Sequence, residues 1–147
     1  MLRETFGDSH KNTLTSMNNL VLLLKAKGDI AATELLVREA LEGRRETLGN
    51  RHPETLTSIH SLGTLLHDKG DLATAEPLSR EVVEGRRETL GDRHSETLIS
   101  IHSLGALLHD KGDLAAAESL LREALEGWRE TLGNRHRKTI NSISNLG

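Results

Sequence analysis

The residues that could carry chemistry in this chain are its eight histidines, because cysteine and tyrosine are absent. Two pairs stand out, His60 with His67 and His102 with His109. Imidazoles suit metal binding or proton transfer. Residues seven apart on one helix, however, are separated by about 10 Å along its axis, too far for one ion held at roughly 2 Å by each nitrogen. No carboxylate three or four residues after His60 completes a ligand set. Asp68 and Asp71 lie close to His67, but Asp71 fits a helix cap better than a general base. The glycines mark helix breaks or repeat positions, and none forms a phosphate-cradling loop. We therefore expect no catalytic residue, no metal site, no cofactor and no enzyme. The remaining histidines, His10, His52, His94 and His136, each follow a glycine by three residues and read as packing or capping groups.

Composition narrows the partners. A formal net charge of -3 leaves no basic field to hold a phosphate backbone. Two aromatics, Phe6 and Trp128, make no stacking platform for single strands, so no nucleic acid is expected. The longest apolar run, Leu20 to Leu24, is five residues, far short of a membrane span. The first residues lack the apolar stretch of a signal peptide, and the cytoplasm is the default location. Absence of cysteine excludes disulfides and thiolate chemistry. Any core must be built from Leu, Ile, Val and Ala.

What positions these residues is a repeat. Glu-Thr-Leu-Gly recurs at Glu46, Glu88 and Glu130, with Glu4-Thr5-Phe6-Gly7 as a variant, always 42 residues apart. Residues 44–85 and 86–127 agree at 33 of 42 positions. Each unit reads as two helices. Pro53 suits a first helical turn, and Leu56, Ile59, Leu62, Leu65 and Leu66 recur at helical spacing. Gly70 fits a left-handed helix end and Asp71 the next N-cap. Leu72, Ala75, Leu78 and Val82 then form the stripe of a second helix, ended by Gly91, with Pro77 in its first turns. The spacing predicts helices over 11–27, 30–48, 53–69, 72–90, 95–111 and 114–132, and a seventh from Arg137. Charged runs such as Arg86-Arg87-Glu88 read as a solvated helix face. A single hairpin cannot bury both stripes, so neighbours must stack. Small residues at Gly63 and Gly105, with Ala75 and Ala117 facing them, would let the helices approach closely.

The pattern resembles the tetratricopeptide repeat, in the 42-residue form of kinesin light chains and nephrocystin-3-like proteins. The matching residues are Leu62-Gly63, Leu66, Gly70, Ala75 and Val82, and then Leu104-Gly105, Leu108, Gly112, Ala117 and Ala124. The connector Leu48-Gly49-Asn50-Arg51-His52-Pro53 resembles the family's linker. The resemblance implies an all-α solenoid with a right-handed superhelical path. It divides the single array 1–147 into the end of a preceding unit (1–10), repeats at 11–52, 53–94 and 95–136, and a partial first helix (137–147). Departures are leucine at the family's aromatic positions, Thr33 at a small-residue position, and Lys11, Ser95 and Arg137 at the linker proline. Gly43, Gly85 and Gly127 replace an apolar residue, which reads as close packing, a bend or a neutral change copied by duplication.

By resemblance, the first helices line a concave groove that binds an extended peptide or partner protein. The groove set is Asn18, Asn19, Lys25, His60, Ser61, His67, His102, Ser103, His109 and Asn145. Asn18-Asn19 matches the Asn pairs with which kinesin light chains hold peptide backbone, whereas His60-Ser61 and His102-Ser103 have lost it. Lys25 alone cannot make the carboxylate clamp of chaperone-binding relatives. Four histidines titrating near pH 6.5 would charge the groove on mild acidification and tighten its hold on acidic peptides. The other reading is a structural spacer with an idle groove. Ile140, Ile143 and Leu146 lack a covering second helix, so end-to-end self-association is expected.

Overall fold

The hairpin turns come from a glycine–aspartate pair. Gly28, Gly70 and Gly112 hold φ of +80°, +91° and +92°, where a side chain would be strained. The carboxylates of Asp29, Asp71 and Asp113 then accept from the N–H of Ala32, Thr74 and Ala116. A computed structural model describes residues 7–131, without the side chains of residues 7–12 and 14. It contains α1 (Gly7–Lys27), α2 (Ile30–Leu48), α3 (Pro53–Lys69), α4 (Leu72–Leu90), α5 (Ser95–Lys111) and α6 (Leu114–Thr131), with no strand among the described residues. The expected seventh helix lies outside them.

Between units, Gly49 and Gly91 end the second helices at φ +87° and +91°. His52 and His94 then cap the next helix, Nδ1 accepting from the backbone of Glu54 and Glu96 at 3.1 Å. These linker histidines are structural, as expected. The first connector differs. It is helical from Gly7, four residues before the expected start at 11. Lys11 keeps the N–H that Pro53 lacks, which lets the helical ladder run through, although Ser95 keeps it as well and follows a break. Pro77 sits inside α4 without ending it.

Each helix packs against the next in the chain, and α3 also touches α5. Leu56, Ile59, Leu62 and Leu66 of α3 and Leu98, Ile101, Leu104 and Leu108 of α5 are the centre of one core that continues across the units. Every member but Trp128 is aliphatic.

The charged runs are only partly a solvated face: the first arginine of each is buried, whereas Glu46 and Glu88 are exposed. Arg86 is 5% exposed; its guanidinium donates to Ser100 Oγ at 2.6 Å and to the Glu96 carbonyl at 3.2 Å. Arg44 repeats this one unit earlier, donating to Ser58 Oγ at 2.5 Å. Arg45 and Arg87 each fork onto a glutamate of the next second helix, Glu81 and Glu123. Lys69 reaches Glu34, Lys111 reaches Glu76, Arg51 reaches Glu88, and Arg93 reaches Glu130. Reading Arg86-Arg87-Glu88 from helical spacing alone missed that the next unit lies against that face.

Candidate functional site: a cleft between the first two units

A cleft of about 420 Å³ opens among α1, α2 and α3. Its polar rim includes Asn18 and Lys25 of α1 and Glu54, Thr57 and Ser61 of α3. Its walls are Val21, Leu22, Val37, Ala40 and Leu65, with the buried Arg44 and Ser58 at one side. The volume is in the range of pockets that take a ligand or an anchoring side chain.

Three lining positions are smaller here than in the next unit. One unit later, the places of Asn18, Ala40 and Thr57 are taken by His60, Val82 and Ile99, all larger. Val82 is buried and Ile99 packs against the core. His60 is half-buried, and burial, followed by the nearby Arg86 charge, pushes its pKa below the ordinary value. Gly63, Thr64, Ala75 and Ser79, in the places of Val21, Leu22, Thr33 and Val37, change size in the other direction.

The sequence-derived groove set divides accordingly. Asn18, Lys25 and Ser61 meet in the cleft, and Asn19 is exposed beside them. His102 and Ser103 are half-buried, and the His102 ring lies 5.7 Å from that of Trp128, tilted by 51°. Burial also lowers the His102 pKa. Burial thus disfavours the charged forms of His60 and His102, against the expectation that they charge readily on mild acidification. His67 Nε2 pairs with Asp110 on α5 at 2.6 Å, and Asp110 also meets His109 Nδ1 at 3.3 Å. The His67 hydrogen bond, then that of His109, holds the Asp110 carboxyl below its usual range. Asn145 lies outside the described residues.

Sequence reasoning overlooked Arg44, the cationic wall of the cleft. Its repetition as Arg86, at the same register on an otherwise apolar stripe, was the available signal. Among the described residues no group of three His, Asp or Glu is placed to hold a metal ion, and no helix is long and apolar enough to cross a membrane.

Stacked helical hairpins around an open inter-unit cleft define a solenoid scaffold of the protein-interaction class. Tetratricopeptide repeat models match residues 13–54, 60–130 and 96–147, and the chain belongs to the tetratricopeptide repeat family. A kinesin light chain-type protein of Podosopora anserina with nearly identical TPR-like repeats superposes with a TM-score of 0.82 at 25% identity, over 91% of this chain. Its Q17M variant gives 0.84 at 26% identity over 93%. BtubC (BKLC) of P. vanneervenii shares the fold, with a TM-score of 0.83 over 90% of this chain at 16% identity. The chain spans 64%, 65% and 53% of the lengths of these three. No curated protein sequence matches it.

Proposed function

We propose that this protein is a non-catalytic interaction scaffold that holds an extended segment of a partner protein along its first helices, anchored in the cleft between the first two units. The observation that carries this reading is the cleft itself. An apolar floor is ringed by exposed amide, hydroxyl and ammonium groups that suit peptide backbone and one inserted side chain. Likeness to kinesin light chain-type solenoids supports it at the level of fold and family.

The test borrows side chains the protein already uses one unit later. Ala40→Val with Thr57→Ile fills the cleft with the residues found at Val82 and Ile99. Partners captured by the wild type and lost by this variant, at unchanged helicity, support the proposal. Partners that bind both chains equally overturn it. The ion-pair ladder between units favours a second reading, a rigid spacer, and cleft-independent partners would support that one.

A further inference from the structure

The helices α2 to α6 are each started by a side-chain acceptor, and the acceptors are of two kinds. Asp29, Asp71 and Asp113 start the second helices with a carboxylate. His52 and His94 start α3 and α5 with an imidazole, Nδ1 accepting from the N–H of Glu54 and of Glu96 at 3.1 Å. The two kinds part company in acid. An ordinary carboxylate is still ionised at about pH 5 and still accepts. An imidazole that accepts through Nδ1 carries its one proton on Nε2, and a second proton on Nδ1 removes the lone pair. The cap then sets N–H against N–H, and puts a cation where the helix dipole disfavours one.

The two histidine caps hold different things. The start of α3 brings Pro53, Glu54, Thr57 and Ser58 to the cleft, so His52 pins one of its rims. The start of α5, pinned by His94, lies outside the cleft. The charges about His52 are engaged elsewhere: Arg51 with Glu84 and Glu88 of α4, and Arg45 of α2 with Glu81, while Arg44 of α2 donates to Ser58. About His94, Arg93 meets Glu130 of α6, Arg87 of α4 meets Asp92 and Glu123, and Arg86 donates to Ser100. Among the described residues the histidines in ion pairs are His67 and His109, so no carboxylate, Glu54 and Glu96 included, is paired to hold a protonated cap in place.

We propose that His52 is a proton-operated latch on the cleft. Its neutral ring holds the first turn of α3, and protonation releases that turn and loosens the cleft's grip on a bound segment. The grip rests on the reading of the cleft as the binding site, whereas the latch is a property of the free chain. Its sign is opposite to the tightening in acid expected of charged groove histidines, because the proton enters an acceptor that the helix needs.

The test is NMR of the isotope-labelled full chain at about pH 7.5 and about pH 5, a range in which imidazoles titrate and ordinary carboxylates stay ionised. At the upper value a scalar coupling across the hydrogen bond from the Glu54 N–H to His52 Nδ1 is expected. At the lower value it is lost, and the Glu54 and Leu56 amides, both bonded to His52, lose protection from exchange by about fivefold, the worth of a helix cap. The methyl signals of Val37 and Ala40 in the cleft shift along with that loss. In His52→Asp, whose carboxylate caps at both values, the amides keep their protection and the cleft methyl signals hold still. A coupling that survives in acid, or methyl shifts as large in His52→Asp as in the wild type, overturns the proposal. Partners that ignore the cleft-filling Ala40→Val, Thr57→Ile pair refute the binding reading without touching the latch. A partner lost on filling, yet held equally at both pH values by the wild type, refutes the loosened grip.

Discussion

At one repeat position, Arg44 and Arg86 gain their role from the neighbouring unit, whereas Trp128 packs within its own. The two arginines donate to serines fourteen residues on, while Trp128 packs against His102 at a tilt and its Nε1 finds no acceptor among the described residues. The half-buried His60 and His102 have a thermodynamic consequence. Burial lowers both pKa values, so the fold favours the neutral rings. Their contribution to stability is complete above the unfolded value near pH 6.5 and is lost as pH falls below it. The lowered carboxyl groups, such as Glu34 through its Lys69 hydrogen bond, act below the ordinary carboxylate range of about 4.5 and do not interfere. We predict that the wild type loses more stability between about pH 7.5 and pH 5.5 than a His60→Asn, His102→Asn chain, which copies Asn18 at that position. Urea melts at the two pH values measure this, and equal losses would refute it.

At the scale of helices, the packing distances settle what the glycines do. A Cβ on Gly85 would stand 2.6 Å from Leu56 Cδ2 and 3.3 Å from Arg51 Cδ, and one on Gly127 would strike Leu98. Glycine thus lets α4 and α6 pack closely on the first helices of their own units, and the carbonyls of Gly43, Gly85 and Gly127 accept from Thr47, Thr89 and Thr131 one turn on. Gly63 is different. Its Cβ would meet Ser79 Oγ at 3.4 Å and Leu78 Cβ at 3.7 Å, ordinary contacts. Its neighbours are thus one turn beyond Ala75, whose carbonyl lies 3.9 Å away. Gly85→Ala should destabilise by about 1–2 kcal/mol, overpacking against the buried Leu56 outweighing the gain in helix propensity. Gly63→Ala should be neutral or stabilise by up to about 1 kcal/mol. Urea midpoints separate the two, and a stabilised Gly85→Ala chain would show that Leu56 relaxes freely.

Across the whole molecule, contacts are between neighbouring units, and stability follows from how many faces each helix has covered. The α3 and α5 helices are enclosed by a second helix on either side in sequence, and their central leucines are fully buried. The leucines of α1 at the same positions are half-exposed. Amide hydrogen exchange should therefore be slower in α3, α4 and α5 than in α1. Equal protection along the chain would mean that it unfolds as one cooperative body and that the open α1 face is energetically unimportant.

The six helices, their glycine and aspartate turns, the histidine caps and the 42-residue unit were legible in the amino-acid sequence. They rest on interactions within a turn or two of chain, and three copies of each signal stand in register. Asn18, Lys25 and Ser61 were expected in a groove from the family resemblance, and the structure places all three at the rim of the cleft. The burial of Arg86 and His60, the fork of Arg87 on Glu123, the cleft beside Arg44 and the open face of α1 were not. Each depends on groups brought together across a seam between units, fourteen or thirty-six residues apart in several cases. At the first seam Asn18, Ala40 and Thr57 line the cleft, and larger residues stand at these places one unit later. Periodicity reports which face a residue occupies, and only the packed neighbour determines whether that face meets water, a partner helix or an empty cleft.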